Sequence, residues 1–218
     1  GVRGVLSHAG ADGGQGGGRM SGLCGWTGRI LKIDLSAGSA ETVEGTALQK
    51  KFLGGKGLNH RLAWDEIPAG AGPFDPENRL LISVGPLTGT PAPTSGRTEI
   101  GGIAAQSCPP MYSHSGVGGW FGAELKYAGY DSVVITGAAP SPVYLWINDD
   151  KVELRDASHL AGKGAIETAE IIREELKEPK AQVAAIGLAG ENRVFYASIE
   201  QGRASASRGG VGAVMGAD

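Results

Sequence analysis

The chain has 218 residues, 41% of them hydrophobic, with 20 Lys and Arg against 23 Asp and Glu for a net charge of −3; this is room for one sizeable domain with a real core. The near balance of charge, with no long basic block, gives no general support to a nucleic-acid surface, and no stretch approaches the roughly 20 apolar residues of a membrane helix, so neither nucleic acid nor membrane is an expected partner. Two cysteines, Cys24 and Cys108, with no Cys-x-x-Cys pair, argue against a disulfide scaffold, exclude a thiolate-ligated cluster built by this chain alone, and suit a reducing, cytoplasmic setting.

The opening stretch, GVRGVLSHAGADGGQGGGRM, is rich in glycine without periodicity and lacks the apolar segment of a secretory signal. Residues 1–19 are therefore expected to be a disordered leader, with Met20 beginning a domain over 20–218. From Arg29 to Leu35, RILKIDL alternates as a half-buried strand does, and SAG turns the chain into SAETVEG, the second arm of a hairpin. Leu48 and Phe52 stand at helical spacing. Gly54 to Gly57 interrupts the pattern, and Leu58 and Leu62 resume it up to Pro68. After the turn-rich PAGAGPFDPEN, the apolar run RLLISVG reads as a buried strand.

The same order then returns. VYLWIND and KVELRDA predict a hairpin around Asp149 and Asp150. Ala165, Ala169, Ile172 and Leu176 mark one face of a helix that carries Glu167, Glu170 and Glu174 elsewhere, and AQVAAIG is a second buried strand. Lys163 of GKGAI stands 107 residues after Lys56 of GKGLN, and Gly187 stands 102 after Gly85. The chain thus reads as an α+β domain made of two duplicated β-β-α-β units with additional strands. In each copy a glycine loop leads toward a short helix: GVGGWFGAEL over 116–125 and RGGVGAVMG over 208–216. Two facing helix starts of this kind would suit a ligand with two anionic arms.

Several motifs reduce to plainer readings. GVGGWFG and GVGAVMG are one residue longer than the dinucleotide fingerprint and follow no first strand of a βαβ unit. The GKG triplets lack the Ser or Thr of a P-loop. His60, His114 and His159 lack metal-ligand spacing and read as surface or satisfied histidines, and Cys108 reads as a packing residue. Arg97, projecting from the Pro- and Gly-rich loop GPLTGTPAPTSGR, and the pair Arg203 and Arg208 in GRASASRGG are candidates for clamping an anion.

These stretches carry a resemblance. In order, GPLTGTPAPTSGR, GGWFGAELKYAGYD, RDASHL, AAIGLAGEN and ASRGGVGAVMG resemble the N-terminal domain of the aldehyde ferredoxin oxidoreductase family over about residues 25–218. PVYLWINDDKVELRDASHLAGKGAIETAEIIREEL and ENRVFYASIEQGRASASRGG resemble the branch containing the tungsten catalytic subunit of benzoyl-coenzyme A reductase. The resemblance implies a pseudo-twofold base on which a bis-pterin tungsten or molybdenum cofactor (tungstopterin) rests, with Mg²⁺ bridging the pterins and a [4Fe-4S] cluster whose ligands lie outside this chain. It also implies ferredoxin or another electron-transfer subunit, the remaining C-terminal domains and, in some members, a second copy as partners. The substrate would be a small aldehyde oxidised to a carboxylic acid, or alternatively an aromatic acyl-coenzyme A whose ring is reduced. A non-catalytic module that binds an anionic cofactor is a further alternative.

By the same resemblance Arg97 lies between cluster and pterin, Gly116 offers its carbonyl to Mg²⁺ where some members have asparagine, and Gly118 and Gly119 contact the pterin. Ser205, Ser207, Arg208 and Gly209 fall on pterin-binding positions. Ala204 stands where other members carry a binding arginine, with Arg203 one place earlier. Neither cysteine matches a cluster ligand, and no residue of this chain is implied as catalytic, so the chain alone is expected to be inactive.

Overall fold

A computed structural model describes residues 2–8 and 25–217, with no account of the side chains at 6–8. The elements run β1 (Val2–His8), β2 (Arg29–Asp34), β3 (Ser39–Glu44), α1 (Thr46–Phe52), α2 (Gly55–Glu66), β4 (Arg79–Val84), β5 (Thr98–Ile103), β6 (Tyr112–Val117), α3 (Phe121–Tyr127) and β7 (Ser132–Thr136). They continue with β8 (Val143–Asn148), β9 (Lys151–Asp156), a 3₁₀ turn (Ser158–Leu160), α4 (Ala165–Leu176), β10 (Gln182–Ala185), α5 (Leu188–Glu191), β11 (Ile199–Gln201), β12 (Ala204–Ala206) and α6 (Val211–Ala217). No helix among the described residues is long and apolar enough to cross a membrane.

Two six-stranded mixed sheets result, in the orders β3-β2-β7-β4-β5-β6 and β9-β8-β1-β10-β11-β12. Read in these directions they correspond strand for strand. The second strand is parallel to the third in each sheet (β2 with β7, β8 with β1), and every other neighbouring pair is antiparallel. The α+β duplication expected from the sequence is thus present, and its unit is larger than β-β-α-β. Each sheet holds three further strands, β5, β6 and β7 in the first and β11, β12 and β1 in the second, and each copy adds a seven-residue helix, α3 or α6.

Alternation along the strands explains how the layers form. Leu31 and Ile33, with Leu80, Ile82 and Val84, point to one face, and Leu145, Ile147, Ala184 and Ile186 do the same in the other sheet. Together with Phe121 and Leu125 of α3 and Val211, Val214 and Met215 of α6 they make a single shared core. The outer faces are covered separately, by Leu58 and Leu62 of α2 against Ile30, Leu81 and Val134, and by Ala169 and Ile172 of α4 against Tyr144, Val183 and Ala185. The apolar stripes on these two 12-residue helices have the period that lets one face lie on a sheet while the other meets solvent.

One expectation is corrected here. Residues 2–8, placed in a disordered leader, form the strand β1, with Val2 and Val5 fully buried in the shared core. A place between β8 and β10 needs a strand to satisfy both edges and close the core, and Val-x-x-Val at the start of the chain meets that need. The rest of the expected leader, residues 9–19, and Met20 and Cys24 lie outside the described residues.

Candidate cofactor-binding floor

The two copies meet along their last strands. β6 and β12 lie next to each other, and Arg208 N–H donates to Ser115 Oγ at 3.2 Å across the junction. Gly209 N–H donates to Gln106 Oε1 at 3.1 Å. Gly209 has φ +74, and a Cβ there would sit 2.7 Å from Ser113 Oγ, so both the backbone conformation and the Ser113 side chain favour glycine. On the other side of the junction Gly119 lies against Gln201 of β11, where a Cβ would collide with the amide. Gln201 is 6% exposed, and its Oε1 has no hydrogen-bond partner.

Around this junction the predicted residues are gathered. Arg97 immediately precedes β5 and donates from Nη1 to the carbonyl of Gly116, on neighbouring β6, at 3.0 Å. The space over Gly116 is taken by Arg97 and by Glu99: a Cβ there would meet Arg97 Nη1 at 2.6 Å and Glu99 Oε1 at 2.8 Å. Gly118 and Gly119 form the turn into α3, with nothing within 4 Å of a Cβ at Gly118. Ser207, Arg208 and Gly209 form the corresponding turn from β12 into α6. Arg203 occupies the tight turn between β11 and β12, exposed, while Ala204 is the first residue of β12, paired with Gln201. Ser205 pairs with Glu200 and is exposed. Arg97, Arg203 and Arg208 are all exposed, and no ion pair with a carboxylate is found for any of them among the described residues.

Two expectations change. The facing helix starts contribute little, because α3 and α6 are only seven residues long and α6 is buried between the sheets over Val211–Met215; the donors are instead guanidinium groups and turn amides. Cys108, read as a packing residue, is exposed, because the two prolines that follow it hold the chain in an irregular loop. Sequence reasoning also missed Glu99, Ser113, Ser115, Gln106 and Gln201. For Glu99, Ser113, Ser115 and Gln201, alternation along strands is the local signal, and it says which way they face but not that the two copies meet there; Gln106 lies in the loop between β5 and β6.

The surroundings anchor this floor. Asp131, fully buried at the start of β7, accepts from Thr27 N–H (2.8 Å), Thr27 Oγ1 (2.8 Å), Gly28 N–H (2.9 Å) and Gln49 Nε2 (2.8 Å), and pairs with Lys126 of α3. One carboxylate therefore ties the chain before β2, α1, α3 and β7 together. On β6, His114 Nδ1 lies 3.1 Å from Glu99 Oε2, and its ring is 5.6 Å from that of His60, whose own Nδ1 lies 2.7 Å from the Lys56 carbonyl. Burial first, and then the charge of Glu99, pushes the Tyr112 hydroxyl above its ordinary range, and that hydroxyl has no hydrogen-bond partner. His159 is paired with Glu175. The three histidines are engaged, as expected, and no group able to hold a metal through His, Cys, Asp or Glu side chains occurs among the described residues. A cavity of about 340 Å³ between Trp146, Arg155 and Glu175 belongs to the α4 side of the other sheet; it shares no residue with the floor.

An exposed surface with three arginines that have no carboxylate partner among the described residues, and with glycine turns free of Cβ atoms, is a donor set that suits a polyanion. Residues 30–218 match the family described as aldehyde ferredoxin oxidoreductase, N-terminal domain. The chain is 46% identical over 191 residues to a tungsten-containing aldehyde ferredoxin oxidoreductase of Pyrococcus furiosus, covering 87% of this chain and 31% of that protein. It is 47% identical, with the same coverage, to the protein of that name from Thermococcus kodakarensis. An aliphatic sulfonate oxidoreductase, WOR-like subunit, of Pyrococcus furiosus is 37% identical over 213 residues, covering 88% of this chain and 33% of that protein. Among solved structures, the active site complex BamBC of benzoyl coenzyme A reductase in complex with 1,5-dienoyl-CoA contains a chain that is 56% identical, with a TM-score of 0.86, over 88% of this chain and 29% of its own. The chain thus spans about a third of the length of the relatives it matches.

Proposed function

Because the chain belongs to the aldehyde ferredoxin oxidoreductase family, whose tungsten members imply a tungstopterin, we propose that it is the N-terminal, cofactor-holding domain of a cytoplasmic tungsten- and iron-sulfur-dependent oxidoreductase. The observation that carries this reading is the junction of β6 with β12, where both glycine turns, Arg97 and Arg208 come to one exposed surface. Residues and cofactor fit. A group carrying several phosphates needs several cationic and amide donors, and Arg97, Arg208 and the turn amides of Gly118 and Gly119 are available there, while the absence of a Cβ at Gly118 leaves room for close approach.

In this role Arg97 is held by the Gly116 carbonyl and stabilises negative charge on the neighbouring groups. That carbonyl would also be the group offered to Mg²⁺, as the resemblance implies. Arg203, exposed in its turn, takes the phosphate contact that Ala204 cannot make; Ser205 and Ser207 add hydroxyl donors. When bound, the metallopterin would supply the redox chemistry, and ferredoxin or another electron-transfer subunit would be its electron partner. The residues of this chain bind, orient and charge-balance the group. Trp120, next to Gly119, and Phe195, against Gly210, are large exposed apolar side chains flanking the floor, and the remaining domains of the enzyme cover them.

The proposed overall reaction is oxidation of an aldehyde to a carboxylic acid. A second reading, reduction of an aromatic acyl-coenzyme A, is favoured by the 56% identity to a chain of the BamBC complex. Anaerobic purification of the full-length enzyme tests both: tungsten and pterin should copurify with it, and either aldehyde-dependent ferredoxin reduction or thioester-ring reduction should follow. Tungsten and pterin without either activity would leave only the non-catalytic binding module, and a protein without pterin would overturn the proposal.

A further inference from the structure

Arg97 has a carboxylate close by and does not pair with it. Arg97 Nη1 and Glu99 Oε1 lie 2.6 and 2.8 Å from one point, the place that a Cβ on Gly116 would take. Yet no ion pair among the described residues joins this guanidinium to a carboxylate. The two residues are two apart, the spacing that puts side chains on one face of a strand. The other carboxylate oxygen holds them apart. Glu99 Oε2 lies 3.1 Å from His114 Nδ1, and because an ionised carboxylate only accepts, that nitrogen carries the proton and donates.

The second copy makes the contact that the first avoids. Glu99 pairs across β5 and β6 with Gly116, and Glu200 pairs across β11 and β12 with Ser205, so the two glutamates correspond in the matching order of the sheets. Ser198 stands two residues before Glu200, as Arg97 does before Glu99, and its hydroxyl donates to Glu200 Oε1. A glutamate in this place therefore reaches the residue two before it. In the first copy it is turned instead to His114, whose place, two residues before Gly116, is held in the second copy by Arg203 of the turn. The imidazole is itself fixed from α2: the ring of His60 lies 5.6 Å from it and 4.6 Å from that of Tyr112, and His60 Nδ1 donates to the Lys56 carbonyl at 2.7 Å.

We infer that His114 is a positioning residue: it draws Glu99 away from Arg97 and so keeps the guanidinium open to a phosphate-bearing anion. This rests on the proposed role of the floor and adds to it the residue that keeps the floor's own carboxylate from filling it. The side chains of Glu99 and His114 are 17% and 32% exposed, so the bond between them is partly shielded from water and holds one arrangement. Without the imidazole, Glu99 turns to Arg97 as Glu200 turns to Ser198, and competes as an internal anion for the same donors.

The test reads Arg97 first without cofactor and then with it. In the cofactor-free 218-residue chain, phenylglyoxal labelling of Arg97, followed by peptide mass spectrometry, should slow about threefold in His114→Ala, the effect of one partly exposed ion pair. The parent rate should return in His114→Ala with Glu99→Gln, and persist in His114→Asn, which keeps a donor for the carboxylate. In full-length enzyme purified without oxygen, tungsten per protein should follow the same order while Tm stays near the parent's. A parent labelling rate in His114→Ala, or a slow rate that Glu99→Gln does not restore, would overturn the inference, as would a His114→Ala enzyme that keeps its tungsten where Arg97→Ala loses it. Labelling in the predicted order with full tungsten in every variant, Arg97→Ala included, would overturn the floor's role and leave the positioning of Glu99 standing.

Discussion

Gly116→Ala places a methyl group where the structure has two side chains. The new carbon would lie 2.6 Å from Arg97 Nη1 and 2.8 Å from Glu99 Oε1, against the roughly 3.5 Å that unbonded heavy atoms require. Both obstacles are the ends of flexible side chains, so the strand can stay and the guanidinium must retreat by about 0.9 Å. That movement takes the 3.0 Å bond from Arg97 to the Gly116 carbonyl out of hydrogen-bonding range. The loss to folding is one exposed hydrogen bond, about 0.5–1.5 kcal/mol. The loss to the cofactor is larger, because a charge-assisted contact displaced by about 1 Å forfeits roughly ten- to a hundredfold in binding or rate. In the full-length enzyme, metal analysis and thermal unfolding should therefore diverge, with tungsten per protein falling sharply while Tm moves by only a few degrees. A variant that keeps its tungsten, or loses it only in step with its fold, would refute the claim that Gly116 is glycine to make room for Arg97.

Three further outcomes follow from the same geometry. Asp131→Ala removes the acceptor of four hydrogen bonds and the partner of Lys126, whose side chain is 11% exposed; breaking such a buried pair should cost about 3–5 kcal/mol, seen in urea unfolding as a lower midpoint, and an unchanged midpoint would contradict this reading. Tyr112→Phe should be neutral or stabilise by up to about 1 kcal/mol, because the hydroxyl it deletes is buried without a partner. The native Tyr112 pKa is raised, so its contribution is intact below the unfolded value near 10 and is lost as pH rises above it; the variant's stability should fall less than the parent's between pH 9 and 11, measured by denaturant titration. Gly119→Ala, at φ +101 and against Gln201, should destabilise more than Gly118→Ala, which meets nothing; equal losses would place the strain elsewhere.

Strands and helices whose pattern is local were legible from the sequence. RILKIDL, RLLISVG, VYLWIND and AQVAAIG each mark a strand that forms, and Leu58 with Leu62 and Ala169 with Ile172 mark the two helices that cover the sheets. What escaped was set by distant pairing. Thr98–Ile103 and Tyr112–Val117 contain Gly101, Gly102 and Gly116, which weaken any strand signal, and become strands because β4 pairs with the first and the first with the second. Val2–His8 is a strand because a sheet interior needed one. Of the candidate floor, the resemblance supplied Arg97, Gly118 and Arg208 together, whereas Ser115 and Gln201 emerge only once β6 is seen to lie beside β12. The exposure of Cys108 depends on a loop whose course no periodicity encodes.

One surface, formed where the two copies meet and charged by arginines from both, is the proposed seat of the cofactor. Its most direct test is the tungsten content of full-length enzyme carrying Arg97→Ala and Arg208→Ala together, purified without oxygen. Loss of most of the metal and pterin from a protein that unfolds at the parent's temperature is the predicted result. A double variant that retains a full complement of both would show that the cofactor is held elsewhere.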